Sequence, residues 1–484
     1  MASVETDYLI IGAGAVGLAF ADTLIDEDPD CHITFVDKHA KPGGHWNDAY
    51  SFVALHQPSA FYGVNSMEFP SEQIDTHGPN AGFSALASGP EVSAYFEKVM
   101  NMRLLPTGRV DYHHLSEFKG RDDNGVAHIN SILSGEQTQI KVRRKVVDGT
   151  FYQTSVPSTH KRSFEIADGV DVAAPGELPD LWQNPDNLPE HYVILGAGKT
   201  AMDAGIWLLG AGVDPANITW VRPRESWLWN RAYIQPGADF FEAVMGNQMA
   251  QLKAAETAQS GQEMMRMLGE SGHYLRIDPD VEPEMFHFAV ISEGEIERLR
   301  RIKNVVRKGR VQSITRGQMD LQEGTHTVPE STLYVDCTAR AVPFSVAADG
   351  QQPLFEEGLI TLQPLHVPLV TLSAAIAAFL EAQFDTDEER NALAIPGPLT
   401  DTPATYPHAF AVTMLNRSNW SQDPKIAPFL TRSRLDPSGP TMAKMAAAGD
   451  TRLAIMGEFA QVAVKAAPNL RKLAAKAKEI HENG

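Results

Sequence analysis

The chain has 484 residues, 43% hydrophobic and 21% charged, which is material for two or three domains with large buried cores. Against 41 Lys and Arg stand 61 Asp and Glu, a formal net charge of -20. Such a surface repels phosphate backbones and anionic lipid, so neither nucleic acid nor a membrane is an expected partner.

The N-terminus shows no charged stretch followed by an apolar core and a small-residue cleavage site, so an untargeted protein is expected. The β-branched run before Gly12 reads as a strand at 7–11, followed by a helix at 15–25 and a second strand at 32–37. This is a βαβ unit whose turn carries Gly12, Gly14 and Gly17 in the spacing G-x-G-x-x-G. The first glycine permits a tight turn, the second lets the backbone approach a pyrophosphate, and the third lets helix and strand pack closely. The helix directs its positive end at the phosphates. Asp37 ends the second strand, 20 residues past Gly17, where a carboxylate can accept both hydroxyls of an adenosine ribose.

Residues 41–90 are rich in Pro, Gly and aromatics and read as a long functional loop. A helix is expected at 91–102, then several short strands across 106–175. A second βαβ unit starts at Tyr192, with a helix at 200–209 and a strand at 217–222. Its turn holds Gly196, Gly198 and Ala201, with Lys199 and Thr200 inside it. Where the first unit ends its second strand in Asp37, this one offers Arg222 and Arg224. Arginine can bind a 2′-phosphate that a carboxylate would repel, which favours NADPH over NADH.

A helical block follows at 238–268, whose Met245, Met249, Met264, Met265 and Met267 read as packing residues. Strands are expected at 305–315, 318–328 and 332–339. The apolar stretch 367–380 is interrupted by Thr371 and Ser373 and is too short to span a bilayer. The tail from Thr441 reads as surface helices. Cys31 and Cys337 are the only cysteines. They form no Cys-x-x-Cys pair, disulfide framework or metal-ligand spacing, so no metal is expected and a reducing, cytoplasmic setting fits.

The glycine pair Gly43-Gly44 just past Asp37, the stretch LHQPSAFYGVNS at 55–66, and the second glycine turn followed by VDCTA at 335–339 resemble the flavin-containing monooxygenase group of two-dinucleotide-binding-domain flavoproteins. The likeness covers most of residues 5–345. It implies an α/β fold with two Rossmann-like dinucleotide-binding domains, an FAD domain carrying an inserted NADP domain, plus a helical C-terminal region. The expected division is 1–157 for the first part of the FAD domain, 158–325 for the NADP domain with its helical block, 326–385 for the segment returning to the FAD domain, and 386–484 for the helical region.

The resemblance further implies FAD at the first turn, held by Gly12, Gly14, Gly17, Asp37, Lys38, Gly44, His45 and Trp46. It implies NADPH at the second, held by Gly196, Gly198, Lys199, Thr200, Arg222 and Arg224. The implied activity is a hydride transfer from NADPH to flavin, then transfer of one oxygen atom from a flavin hydroperoxide to a small molecule. Molecular oxygen is the second substrate, and a homodimer is the default assembly. His56, Gln57 and Asn65 are the catalytic candidates, since an amide near the flavin could hydrogen-bond its oxygen adduct. The plainer alternative is that these loop side chains bond their own backbone. Gln363, His366, Asn416 and Asn419 could line a substrate cavity, with domain packing the favoured alternative.

Two features depart from relatives of that kind. The cysteines read as inert core thiols, which excludes dithiol chemistry. The fingerprint F-x-G-x-x-x-H is absent from 151–182, although His160 is present, which argues against Baeyer–Villiger oxidation. Two other functions stay open: an NAD(P)H:acceptor reductase or oxidase that inserts no oxygen, and a dinucleotide-binding scaffold or sensor.

Overall fold

Tyr8, Leu9 and Ile10 are at most 1% exposed, so the first strand is covered on both faces and carries a continuous apolar run in place of an alternating one. In the computed structural model, which describes residues 2–69, 73–340 and 352–483, this strand spans Ala2–Ile11 at the centre of the first sheet. It pairs in parallel with Ile33–Val36 on one side and with Gln137–Asp148 on the other. Val110–His113 extends the sheet beyond Ile33–Val36, and Leu359–Thr361 extends it beyond Gln137–Asp148. Helix Ala15–Glu27 packs against helix Val370–Gln383 over this sheet. The latter helix contains most of the apolar stretch expected at 367–380, and it is a buried core helix. Among the described residues no helix is long and apolar enough to cross a membrane.

The second sheet is wholly parallel, in the order Asn304–Val306, Ile218–Val221, His191–Leu195, Thr332–Asp336, Asp171–Ala173. The protein thus has two Rossmann-like units and a helical C-terminal region. Thr332–Asp336 was expected in the segment returning to the first domain, but it pairs along its whole length with His191–Leu195. The return therefore begins after Asp336, and part of it, 341–351, lies outside the described residues.

The expected helix at 91–102 starts at Gly89, where Ser88 and Glu91 form a reciprocal capping box, and it widens into a π-helical turn at Val99–Leu104. In the C-terminal region, helices Tyr406–Gln422 and Ile455–Asn483 pack on helix Phe241–Thr257 from the inserted block. Asn469 of the last helix donates to the carbonyls of Ala255 at 2.9 Å and Ala258 at 2.8 Å, closing the C-terminal end of Phe241–Thr257.

Candidate active site

Register places both glycine turns at the carboxyl ends of their sheets, where open α/β sheets form ligand crevices. Ile11 pairs with both Val36 and Asp148, so Gly12, Asp37 and Gly149 share one edge. Gly12 has φ +92°. A Cβ on Gly17 would sit 2.2 Å from the Gly12 carbonyl oxygen, so only glycine permits this approach of helix to strand. The second glycine segment lies directly on the first: Gly43 N–H donates to the Ala13 carbonyl at 2.8 Å, and a Cβ on Gly44 would be 3.0 Å from the Gly14 Cα. Two backbones bare of side chains form a narrow cradle, which suits a diphosphate.

Asp37 is buried beside this cradle. Its carboxylate accepts from the Ala13 N–H at 2.6 Å, the His39 N–H at 2.7 Å and His39 Nδ1 at 2.8 Å. A carboxylate has about four lone-pair sites, so roughly one remains for a ribose hydroxyl, fewer than the pair expected. His39 reaches Asp48 with its other ring nitrogen at 2.8 Å. Its hydrogen bond to Asp37, aided by Asp48, raises its pKa. Lys38 points outward and is exposed.

The second turn repeats the first. Gly196 has φ +117°, and a Cβ there would meet the Cys337 carbonyl oxygen at 2.7 Å, whereas a Cβ on Gly198 would meet nothing within 4 Å. The repetition extends to a feature the sequence reading missed. The strand beside each turn ends in Asp-x-Thr and folds over the first glycine. Asp148 accepts from the Thr150 N–H and hydroxyl, both at 2.7 Å, and Asp336 accepts from the Thr338 N–H at 3.1 Å and hydroxyl at 2.7 Å. Gly149 N–H bonds the Ile11 carbonyl and Cys337 N–H bonds the Leu195 carbonyl, each at 3.0 Å. The available signal was the paired strings VVDGT and YVDCT. His160 lies behind the second clasp, 3.3 Å from the Thr338 hydroxyl.

Both units open into one cavity of about 1310 Å³. From the first unit it is lined by His45, Trp46, His56 and Gln57, and from the second by Gly196, Gly198, Lys199 and Thr200. His45 stacks on Trp46 at 5.5 Å, and Trp46 Nε1 donates to the Tyr62 hydroxyl at 2.8 Å. Burial pushes the His45 pKa down to about 4 and that of His56 to about 3, the latter helped by Lys199 and Arg231, so both rings are neutral at pH 7. Lys199 is ion-paired with Asp203, one helical turn on, and Tyr50 donates to the same carboxylate at 2.8 Å. A buried pair, Arg231 with Glu295 at 3.0 Å, holds the loop that carries His56: Arg231 donates to the His56 carbonyl at 2.6 Å.

Other candidates fall elsewhere. Arg222 does not reach the cavity. It is 3% exposed, with its guanidinium 4.8 Å over the Trp220 ring and paired with Glu225 at 3.0 Å, and burial lowers its pKa. Arg224 does line the cavity, and so do Arg310 and Arg340 from other segments, which no local pattern marked. Asn65 lies outside the cavity lining and ties helix Ala15–Glu27 to the C-terminal region, through Thr23 at 3.1 Å and Ser433 at 2.7 Å. Gln57 donates to the Phe61 carbonyl at 3.1 Å, as the plainer alternative had it.

Gln363 and Asn416 are buried and bonded to backbone, as packing residues are. Asn419 is not in the cavity lining, whereas His366 is. Met264 and Met265 are core residues, and Met245 also faces the cavity. Cys31 and Cys337 are buried and free, and burial drives both thiol pKa values up, that of Cys31 to about 11. Among the described residues no group of His, Cys, Asp and Glu is placed to hold a metal ion.

A family model described as an NAD(P)-binding Rossmann-like domain matches residues 10–73. The uncharacterized protein Rv2000 of Mycobacterium tuberculosis is 40% identical over 434 residues, 90% of this chain and 78% of its own length. An FAD-dependent monooxygenase, resA, of Aspergillus sclerotiorum is 24% identical over 217 residues, 44% of this chain and 36% of that protein. Among solved structures, the polycyclic ketone monooxygenase of Thermothelomyces thermophila superposes with a TM-score of 0.54 at 12% identity, covering 90% of this chain and 86% of that one.

Proposed function

Because the chain belongs to one family with the mycobacterial protein Rv2000 and has the fold of the flavin-containing monooxygenase group, we propose that it is an FAD-dependent, NADPH-using monooxygenase of a small molecule. One observation carries the reading: two glycine turns of the same construction, each with its own Asp-x-Thr clasp, belong to units that line a single cavity. A hydride donor and its acceptor must meet in such a space.

The residues present fit both cofactors. Gly12, Gly14 and Gly44 form the bare cradle, Asp37 offers its remaining lone pair to the ribose, and His45 and Trp46 form a flat wall where the flavin ring would lie. At the second turn Gly198 leaves room for a diphosphate, with Thr200 at the helix start. Arg224, joined by Arg310 and Arg340, takes the 2′-phosphate role first given to both Arg222 and Arg224. When bound, flavin supplies hydride acceptance and oxygen activation, and NADPH supplies the hydride.

The chain's own work is positioning and exclusion. Arg231 and Glu295 fix the His56 loop. Neutral His45 and His56 add no charge beside the reacting atoms, and the apolar wall keeps water out. The test is an anaerobic NADPH titration of the purified protein, following the visible flavin band. Bleaching, with recovery on admitting air, is the expected result. A band that NADPH leaves unchanged removes the hydride transfer from the reading.

A further inference from the structure

The cavity wall inverts the charge of the chain. A protein with 61 Asp and Glu against 41 Lys and Arg lines this space with Lys199, Arg224, Arg310, Arg340 and Arg417. Among the described lining residues Asp401 is the only carboxylate. Two of the cations have acids of their own behind the wall: Lys199 is paired with Asp203, and Arg417 with the buried Asp436. Glu225, next to Arg224 in the chain, is buried and committed to Arg222 at 3.0 Å and Arg307 at 2.9 Å. Asp401 is thus the acid that shares the lining with Arg224, Arg310 and Arg340.

Asp401 comes from the segment before helix Tyr406–Gln422, outside both dinucleotide units. Its carbonyl accepts from the Phe286 N–H at 3.1 Å, and the Thr400 hydroxyl donates to the Phe286 carbonyl at 3.1 Å. These bonds pin the segment to strand Met285–Ile291. The Asp401 carboxylate then lies 2.6 Å from His287 Nε2 and 3.5 Å from Arg340 Nη2. The side chains of Asp401 and Arg340 are each 33% exposed, so a ligand can reach both. Burial pushes the Asp401 pKa up, but His287, Arg340 and Arg224 outweigh it and hold the acid ionised. Burial lowers the pKa of Arg340, Asp401 opposes this, and Arg310 and Arg224 add to it, so the arginines act on one another. An ionised carboxylate beside arginines gives them the same charge-assisted bonds that a phosphate would.

We propose that Asp401 is a specificity residue of the nucleotide site: it competes with a 2′-phosphate for Arg340 and repels it, and so limits how strongly the site prefers a 2′-phosphorylated nucleotide. The inference rests on the 2′-phosphate role proposed above for Arg224, Arg310 and Arg340. Asp401 belongs to neither glycine turn, so the choice of nucleotide is adjusted from the C-terminal region, while the turns hold the part that all these nucleotides share.

The test titrates adenosine 2′,5′-bisphosphate and adenosine 5′-monophosphate into the flavin-loaded protein by calorimetry, which needs no hydride transfer. Asp401→Asn keeps the shape of the side chain and the backbone bonds of its segment. It should bind the bisphosphate about ten-fold more tightly than the parent does, since a negative charge beside a dianion is removed. Its affinity for the monophosphate should stay within about two-fold of the parent. Adding Arg340→Gln to Asp401→Asn should take back most of the gain. Bisphosphate affinity that is unchanged or weaker in Asp401→Asn, or an equal gain for both ligands, overturns the proposal. A parent that binds the two ligands equally, with a preference appearing in Asp401→Asn, supports the inference and replaces NADPH by NADH in the reading above. A parent that prefers the bisphosphate, with that preference unchanged in Asp401→Asn, overturns the inference and leaves the NADPH reading standing.

Discussion

The Arg222 guanidinium lies over the Trp220 ring at 4.8 Å and is paired with Glu225, so it is part of the core of the second unit and does not line the cavity. Arg222→Ala should therefore leave the ratio of NADPH to NADH KM values within about two-fold of the parent, while lowering stability by about 3 kcal/mol through the broken buried pair. Arg224→Ala should do the reverse, raising the KM for NADPH about ten-fold more than that for NADH. Steady-state kinetics with both nucleotides and urea unfolding of each variant check the contrast.

Two glycines give a second contrast. Gly17→Ala forces a Cβ to 2.2 Å from the Gly12 carbonyl, whereas Gly198→Ala has open space. The first should destabilise by about 3 kcal/mol or prevent folding. The second should fold normally and weaken NADPH binding, since the added methyl occupies room kept for the diphosphate. Thermal unfolding separates the two, and an NADPH titration of the Gly198 variant completes the check.

Asp37→Ala should strip the flavin. It removes the acceptor proposed for the ribose and also the bond that anchors the Ala13 N–H. Loss of about 1.5–3 kcal/mol in charge-assisted hydrogen bonding weakens retention at least ten-fold. The visible flavin band after gel filtration reports it, and a variant that keeps its full colour would refute the site.

His39 gives a pH dependence of definite sign. Its pKa is raised by the hydrogen bond to Asp37 and by Asp48, so the folded state holds the proton more tightly than the unfolded chain does. The stability it contributes is full below about pH 6.5, the unfolded value, and is lost as pH rises through the raised folded value. The difference in melting temperature between the parent and His39→Gln should therefore be largest at mildly acid pH and shrink toward alkaline pH. A difference that grows with pH contradicts the bridge.

The two βαβ units could be read from the sequence because a diphosphate turn restricts which residues fit. Gly12, Gly17 and Gly196 occupy places where a side chain collides or φ is positive, and no other residue serves. Direction was harder to read. Arg222 and Arg224 sit two residues apart and would share a face of an extended strand, but the strand ends at Val221 and the chain bends at 223–224, so only Arg224 lines the cavity. Asn65 looked suited to chemistry and instead links three segments, a role set by Ser433, which is 368 residues away. The Asp-x-Thr clasps were visible as a repeat, but their purpose depends on which strand lies beside which turn. Arg310 lies just before strand Val311–Thr315 and Arg340 just beyond strand Thr332–Asp336, and only folding brings them to the cavity.

The far wall of the cavity depends on the last helix, Ile455–Asn483, and an exposed stretch at Ala446–Gly449 lies just before it. Both nucleotide turns are complete without that helix. On the proposed reading, displacement of that helix would open the cavity while leaving both glycine turns in place, so NADPH oxidation would be uncoupled from any acceptor and hydrogen peroxide released.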